Sequence, residues 1–235
     1  MMIDADKILA IMRKTGQFGG VERLRYDMTA EDLLNAVETV GKARNTRFVI
    51  DESLRFAYLN IAKWIVGDKT MACHNPATKE VVQGDLRKGI YLAGRTGCGK
   101  TYAFELFGYV ARLCRFEFRS DFKTVPLSLE DVRADDITEE FMKEGDLTLY
   151  ETKLPCLVIN DLGSEPTESI YMGNRVDVVR QVLEKRGDFD NLITCITSNL
   201  PMGSNALSSR YGDRVASRLK KMCNYLEING PDRRG

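Results

Sequence analysis

The chain has 235 residues, 43% of them hydrophobic, enough for one α/β domain with a real core rather than a disordered segment. Its 34 basic and 34 acidic residues cancel, which excludes a whole-molecule basic footprint for nucleic acid and leaves only a local patch to be sought. No N-terminal signal pattern and no apolar run near 18 residues appear, and the six scattered cysteines with one histidine give no metal-ligand spacing, so free thiols in a reducing cytoplasm and no membrane association are expected.

In chain order, Asp4 to Lys14 is expected to form a short helix carrying Ile8, Leu9, Ile11 and Met12. Thr29 and Asp32 have capping spacing before a second helix, with Leu33, Leu34, Val37 and Val40 on one face and Gly41 as its stop. A third helix is expected from Asp51, with Leu54, Ala57, Tyr58, Ile61, Trp64 and Ile65 apolar and Gly67 ending it. Residues 1–47 are expected to be a small helical region, either packed on the main domain or docking a partner, and residues 48–235 the main domain. His74 to Lys88 is expected to be a polar loop.

Gly89 to Ala93 then predicts a strand, and Ala103, Phe104, Phe107, Val110, Ala111 and Cys114 repeat at helical spacing. Between them lies Gly94-Arg95-Thr96-Gly97-Cys98-Gly99-Lys100-Thr101, the pattern G-x-x-x-x-G-K-[ST]. Its glycines let the backbone turn tightly and aim N–H groups at phosphate; Lys100 suits the β- and γ-phosphates and the Thr101 hydroxyl suits Mg²⁺. At average residue usage the four fixed positions coincide by chance in roughly one chain in a hundred of this length. Strand, loop and helix in this order imply a nucleoside triphosphate site. Tyr102 follows at the start of the helix, and Cys98 is expected to be an accessible thiol in the loop.

Further on, Arg115 to Ser120 predicts a strand and Ser128-Leu129-Glu130-Asp131 the start of a helix. Cys156 to Ile159 predicts a buried strand. The segment LVINDLG, Leu157 to Gly163, places polar residues at the end of that strand, where P-loop enzymes keep the acid that holds Mg²⁺. Glu168 to Arg186 predicts one long helix carrying Met172, Val176, Val179, Val182 and Leu183. Asn191 to Thr197 predicts a strand, ending in Thr197-Ser198-Asn199, from which Asn199 can face the γ-phosphate and attacking water. Gly212 to Lys221 predicts the last helix. Arg210, Arg214 and Arg218 are four apart and would share one face if the segment is helical throughout, a face suited to phosphates. Strands alternating with helices imply a parallel sheet covered on both faces.

The order GIYLAGRTGCGKT, LVINDLG, ITSNL, YGDRVASRL and GPDRRG resembles the AAA+ ATPases of the DnaC-like helicase-loader group, which includes DnaI-type loaders and IstB-type transposition helpers. The resemblance covers roughly residues 48–235. It implies a five-stranded parallel sheet flanked by helices, ATP and Mg²⁺ as cofactors, and ATP hydrolysis. It implies Lys100 and Thr101 as phosphate and Mg²⁺ contacts, Asn199 as sensor 1, Arg214 as an arginine finger acting on a neighbouring subunit, and Arg234 as sensor 2 with Arg233 as the fallback. It implies a homo-oligomer acting with a replicative DNA helicase, or a transposase in the IstB branch, and with single-stranded DNA. One departure stands out: the group usually carries two acids where this chain has Asn160-Asp161. Asn160 would then take the Mg²⁺ position and Asp161 the water-activating one, and hydrolysis is expected to be slow because the amide lacks the charge that attracts the ion.

Overall fold

The structure is a computed structural model that describes Lys7, residues 20–121 and residues 123–233. The helix expected over Asp4 to Lys14, Lys7 apart, and Arg234 lie outside the described residues.

The first described elements are strand β1 (Val21–Arg23), helix α1 (Ala30–Arg44) and helix α2 (Glu52–Val66). The capping box that opens α1 is complete: Asp32 N–H donates to Thr29 Oγ1 at 3.1 Å and Thr29 N–H to Asp32 Oδ2 at 3.2 Å. The helix runs past Gly41, which is not its stop. Gly41 sits against the Phe48 ring, where a Cβ would collide, so the glycine serves packing. At α2, Asp51 accepts from Ser53 N–H at 3.0 Å and Leu54 N–H at 3.3 Å, and Gly67 ends the helix in the left-handed region at φ 73°.

Strands β2 (Ala72–His74), β3 (Val81–Gln83) and β4 (Gly89–Gly94) follow, then α3 (Lys100–Leu113), β5 (Glu117–Ser120), β6 (Lys123–Pro126), β7 (Asp131–Arg133) and α4 (Ala134–Glu144). After a π-helical turn at Leu149–Lys153 come β8 (Cys156–Leu162), β9 (Ser169–Tyr171), β10 (Asn174–Val176), α5 (Val178–Arg186), β11 (Ile193–Ser198), α6 (Asn205–Met222) and β12 (Cys223–Ile228). The main sheet has the order β3-β2-β12-β4-β11-β8-β7. Its five strands from β12 to β7 are mutually parallel, and β2 and β3 extend one edge antiparallel. The chain is therefore α/β, with the implied five-stranded parallel sheet inside a seven-stranded one.

Alternation along the strands divides the core. Ile90, Leu92, Val158, Cys195, Leu226 and Ile228 face α1, α2 and α3, while Tyr91, Leu157, Ile159, Ile196 and Tyr225 face α4, α5 and α6. Both faces are covered, so the central strands read as continuous apolar runs. Residues 20–47 share this core: Leu33, Leu34 and Val37 of α1 pack with α2 and α3, and β1 pairs antiparallel with β5.

Four segments differ from their expectations. The stretch expected as a long helix from Glu168 begins as the β9–β10 hairpin, because Met172 and Gly173 take φ 47° and 82° in a tight turn; α5 starts only after Asp177, whose carboxylate accepts from Arg180 N–H. Ser128 to Asp131 does not start a helix. Asp131 belongs to β7, and α4 begins at Ala134. The polar loop from His74 contains the β2–β3 hairpin, turned through Lys79 at φ 62°. Finally β12, absent from the expected elements, lies between β2 and β4.

Candidate functional site

β4 delivers the glycine-rich loop at the carboxyl edge of the sheet. Gly97 and Gly99 take φ 77° and 104°, conformations that a side chain would strain. No side chain caps α3, so the N–H groups of its first turn remain available to an anion. Tyr58 of α2, fully buried, donates from its hydroxyl to Gly99 C=O at 3.1 Å and supports the loop from beneath. Cys98 lies wholly buried under the loop, and burial raises its thiol pKa; it is not the accessible thiol expected. Arg95 and Thr96 are exposed on the loop's outer side.

Lys100 is 5% exposed, and its Nζ donates to Gly94 C=O and Arg95 C=O, both at 2.9 Å, and to Asn199 Oδ1 at 2.8 Å. Asn199 in turn donates from Nδ2 to Thr96 Oγ1 at 3.3 Å. The end of β11 is thereby hydrogen-bonded to the loop after β4, and two residues 99 positions apart meet at one point. Thr101 and Tyr102 line a groove of about 820 Å³ together with Phe48, Val49, Glu105 and Arg233. Tyr102 packs edge-on to Phe48, ring centroids 5.1 Å apart, giving the groove an apolar end beside its glycine-rich one.

The end of β8 forms a second polar cluster. Asn160 is fully buried; its Nδ2 donates to Asp131 Oδ2 of β7 and its Oδ1 accepts from Thr197 Oγ1 at 2.9 Å. The Thr197 oxygen also accepts from Asp161 N–H at 2.9 Å, which fixes Asp161 in a left-handed conformation at φ 56°. Beyond it Ser164 N–H donates to Asp161 C=O at 3.0 Å. Thr101, Asn160, Asp161 and Asp131 each carry a hard oxygen donor of the kind Mg²⁺ prefers, but among the described residues no three acidic, histidine or cysteine side chains are grouped to hold a metal, and Thr101 lines a groove that the other three do not. Asn160 offers the weakest of them, since both ends of its amide are already engaged.

The three arginines four apart do not share one face. Gly212 breaks α6 at φ 81°, ψ 160°, so the helix turns between Arg210 and Arg214. Arg210 points inward, donating to Glu165 Oε1 at 2.7 Å and Asp177 Oδ2 at 3.1 Å; the Glu165 side chain is fully buried and also accepts from the Tyr211 hydroxyl and from Gly163 N–H. Arg218 pairs with Asp188 at 2.6 Å and donates to Glu184 C=O. Neither is a phosphate contact. Arg214 alone is exposed, with no hydrogen bond or ion pair among the described residues. Arg233 lies at the groove: its N–H donates to Gly97 C=O at 3.0 Å and its guanidinium to Asp51 at 2.6 Å and Ser53 at 2.7 Å. Arg234 lies outside the described residues.

Sequence reasoning did not single out Tyr58, Glu165, Asp131 or the Asp51–Arg233 pair. Tyr58 looked like any apolar helix residue, and only its contact with Gly99 gives it a role. Asp131 was masked by its assignment to a helix start. Asp51 is expected only as the start of a helix; one of its oxygens caps that helix, and the second takes Arg233 from 182 residues away.

No family profile matches the chain, and no curated protein matches it. Among solved structures it is similar to the DnaC helicase loader, at 20% identity over 78% of this chain and 94% of that one, with a TM-score of 0.48. It is similar to a candidate primosome component from Streptococcus pyogenes serotype M3, at 16% identity over 81% and 87%, TM-score 0.47. It is also similar to AMPPCP-bound DnaA from Aquifex aeolicus, at 18% identity over 88% of this chain and 51% of that one, TM-score 0.46. The fold class, α/β with a glycine-rich loop at the end of a central parallel strand, rests on the chain's own strand order and loop geometry.

Proposed function

We propose that this chain is an ATP-binding AAA+ protein of DnaC-like type that helps place a replicative helicase on DNA. The observation that carries the nucleotide reading is the joint at Lys100: an uncapped helix start, a glycine-rich loop and the strand-end amide of Asn199 meet there. In this reading the first-turn N–H groups of α3 and Lys100 take the phosphates, Lys100 exchanging its loop carbonyls for them. The apolar end at Phe48 and Tyr102 takes the base. Thr101, with Asp161 and Asn160, would hold Mg²⁺, which would neutralise phosphate charge when bound. Asp161 orients and deprotonates the attacking water, Asn199 positions it against the γ-phosphate, and Arg214 reaches a neighbouring subunit's ATP and stabilises the charge of the transition state. Arg234, outside the described residues, keeps the sensor 2 role that the resemblance implies, with Arg233, which lies at the groove, as the fallback.

Hydrolysis is slow in this reading because the first acid of the pair is an amide. Titration of a fluorescent ATP analogue tests binding: wild type binds and Lys100→Ala loses binding. Turnover of wild type against Asn160→Asp tests the rate, and brisk wild-type turnover that the aspartate does not raise refutes slow hydrolysis. The buried, engaged Asn160 also favours a second reading, an ATP-gated scaffold in which bound nucleotide holds subunits together with little hydrolysis. Partner docking belongs in this proposal to the N-terminal region. Because residues 20–47 are part of the core, deletion of residues 1–19 is the informative cut; it should abolish co-purification with the helicase and leave ATP binding intact. Capture of a transposase instead would favour the IstB branch. Single-stranded DNA binding in ATP should weaken steeply with salt.

A further inference from the structure

Asn160 lacks the charge that would draw a divalent cation toward Thr101, yet a carboxylate touches it. Asp131 opens β7 and accepts a hydrogen bond from Asn160 Nδ2. Asp131 is paired with Val158, two residues before Asn160, and side chains of paired residues leave a parallel sheet on the same side. Val158 packs on the face that α3 covers, so Asp131 and Asn160 both lie on that face.

The charge on Asp131 is felt there. Glu105 stands one helical turn beyond Thr101 on α3, and burial first, then Asp131, raise its pKa above the usual carboxylate value. Asp131 is exposed, and its other oxygen has no hydrogen-bond partner among the described residues. Asn160 is sealed beneath it. From Asp131 the bonds continue through the Asn160 amide and the Thr197 hydroxyl to the backbone of Asp161.

We propose that Asp131 supplies the negative charge of the divalent-ion position in this chain, and that Asn160 is the amide that holds it there. The charge missing from β8 is delivered from the neighbouring strand. An amide at position 160 suits this arrangement because it donates to the Asp131 carboxylate, whereas a second carboxylate would repel it. Asn160 is then a positioning residue acting through Asp131, and the proposal rests on the nucleotide-binding reading above. The rival is purely structural: the Asp131–Asn160 bond merely ties edge strand β7 to β8.

The two separate by exchanging the charge. The full chain is titrated with Mn²⁺, followed by electron paramagnetic resonance, in the presence of a non-hydrolysable ATP analogue; analogue binding is also measured in EDTA, and melting temperatures are read alongside. Asp131→Asn should lose on the order of tenfold or more in Mn²⁺ affinity, the usual effect of removing a group that supports a metal ligand, with analogue binding in EDTA unchanged. The double variant Asp131→Asn/Asn160→Asp puts the carboxylate back on β8 with an amide beside it and should recover the affinity. Asn160→Asp alone places two carboxylates in contact and should melt lower in EDTA than with Mn²⁺.

Wild-type Mn²⁺ affinity in Asp131→Asn, alongside normal analogue binding, overturns the assignment alone. So does a loss that tracks melting temperature and is not recovered by the exchange. Failure of the wild type to bind the analogue at all overturns the nucleotide reading and this assignment with it.

Discussion

The contact between Arg210 and Glu165 should be the costliest to break of the ion pairs among the described residues. The Glu165 side chain is fully buried and that of Arg210 is 13% exposed, so neither charge can turn to water when its partner is removed. Arg210→Met keeps most of the packing volume and deletes the bonds to Glu165 and Asp177. Breaking a buried pair on one side costs about 3–5 kcal/mol. Glu165 keeps the Tyr211 hydroxyl and Gly163 N–H as donors, so the lower end, about 3 kcal/mol, is expected. At roughly 2–4 °C per kcal/mol for a chain of this size, the melting temperature should fall by about 6–12 °C. Urea unfolding of wild type, Arg210→Met, Glu165→Gln and the double variant closes the cycle. The pair term appears as a double variant less destabilised than the sum of the singles. A cost under about 1 kcal/mol for Arg210→Met, or strict additivity, refutes the reasoning. On the proposed ATPase reading turnover should fall as well, because the pair anchors the loop after Asp161 to the helix that carries Arg214.

On the proposed reading, Arg214→Ala should leave ATP binding near wild type and abolish most turnover; mixed with an Asp161→Ala variant it should regain part of it, since each would supply what the other lacks, and no recovery on mixing argues against action between subunits. At Asp51, burial raises the carboxyl pKa, but hydrogen bonds from Arg233 and Ser53 outweigh burial and hold it below the usual 3.8. Its contribution to stability is therefore complete above that value and lost as pH falls through the lowered one. The stability gap between wild type and Asp51→Asn, measured in urea, should be widest at neutral pH and shrink in acid; a gap independent of pH contradicts this. Arg186 is fully buried with bonds to Thr194, Tyr150, Leu154 and Ile193, and burial lowers its pKa to about 10. Arg186→Met should destabilise by about 3–5 kcal/mol through orphaned carbonyls, and a calorimetric loss under about 1 kcal/mol would contradict that reading.

The glycine-rich loop and its flanking elements were legible because they are local: a strand, fixed glycine spacing and a helical repeat all lie within residues 89–114. Asn199 was legible as a strand end, and its bond to Lys100 then follows from the parallel register of β11 with β4. What the sequence hid depends on non-local or strained backbone. The hairpin at Met172 imitated helical spacing, since Met172, Val176 and Val179 recur at three and four, while Met172 is 85% exposed on a turn. Gly212 broke the arginine stripe by its own conformation, which no spacing argument detects. The strand β12 escaped because Asn224 and Glu227 interrupt its apolar run; Asn224 is buried and bonded to Asp85 and Gly89, which only the folded chain supplies.

That strand sets an order of events for synthesis on the ribosome. β12 is the last strand among the described residues, yet it sits inside the sheet, pairing β4 on one side and β2 on the other. Until residues up to Ile228 have left the exit tunnel, the strand that carries the glycine-rich loop has an open edge, and the β2–β3 hairpin has nothing to extend. Such non-local pairing folds slowly and leaves an edge exposed meanwhile. A nascent chain stalled before Cys223 should therefore behave as an aggregation-prone intermediate, competent for helix formation but not for assembling the loop beneath Gly97.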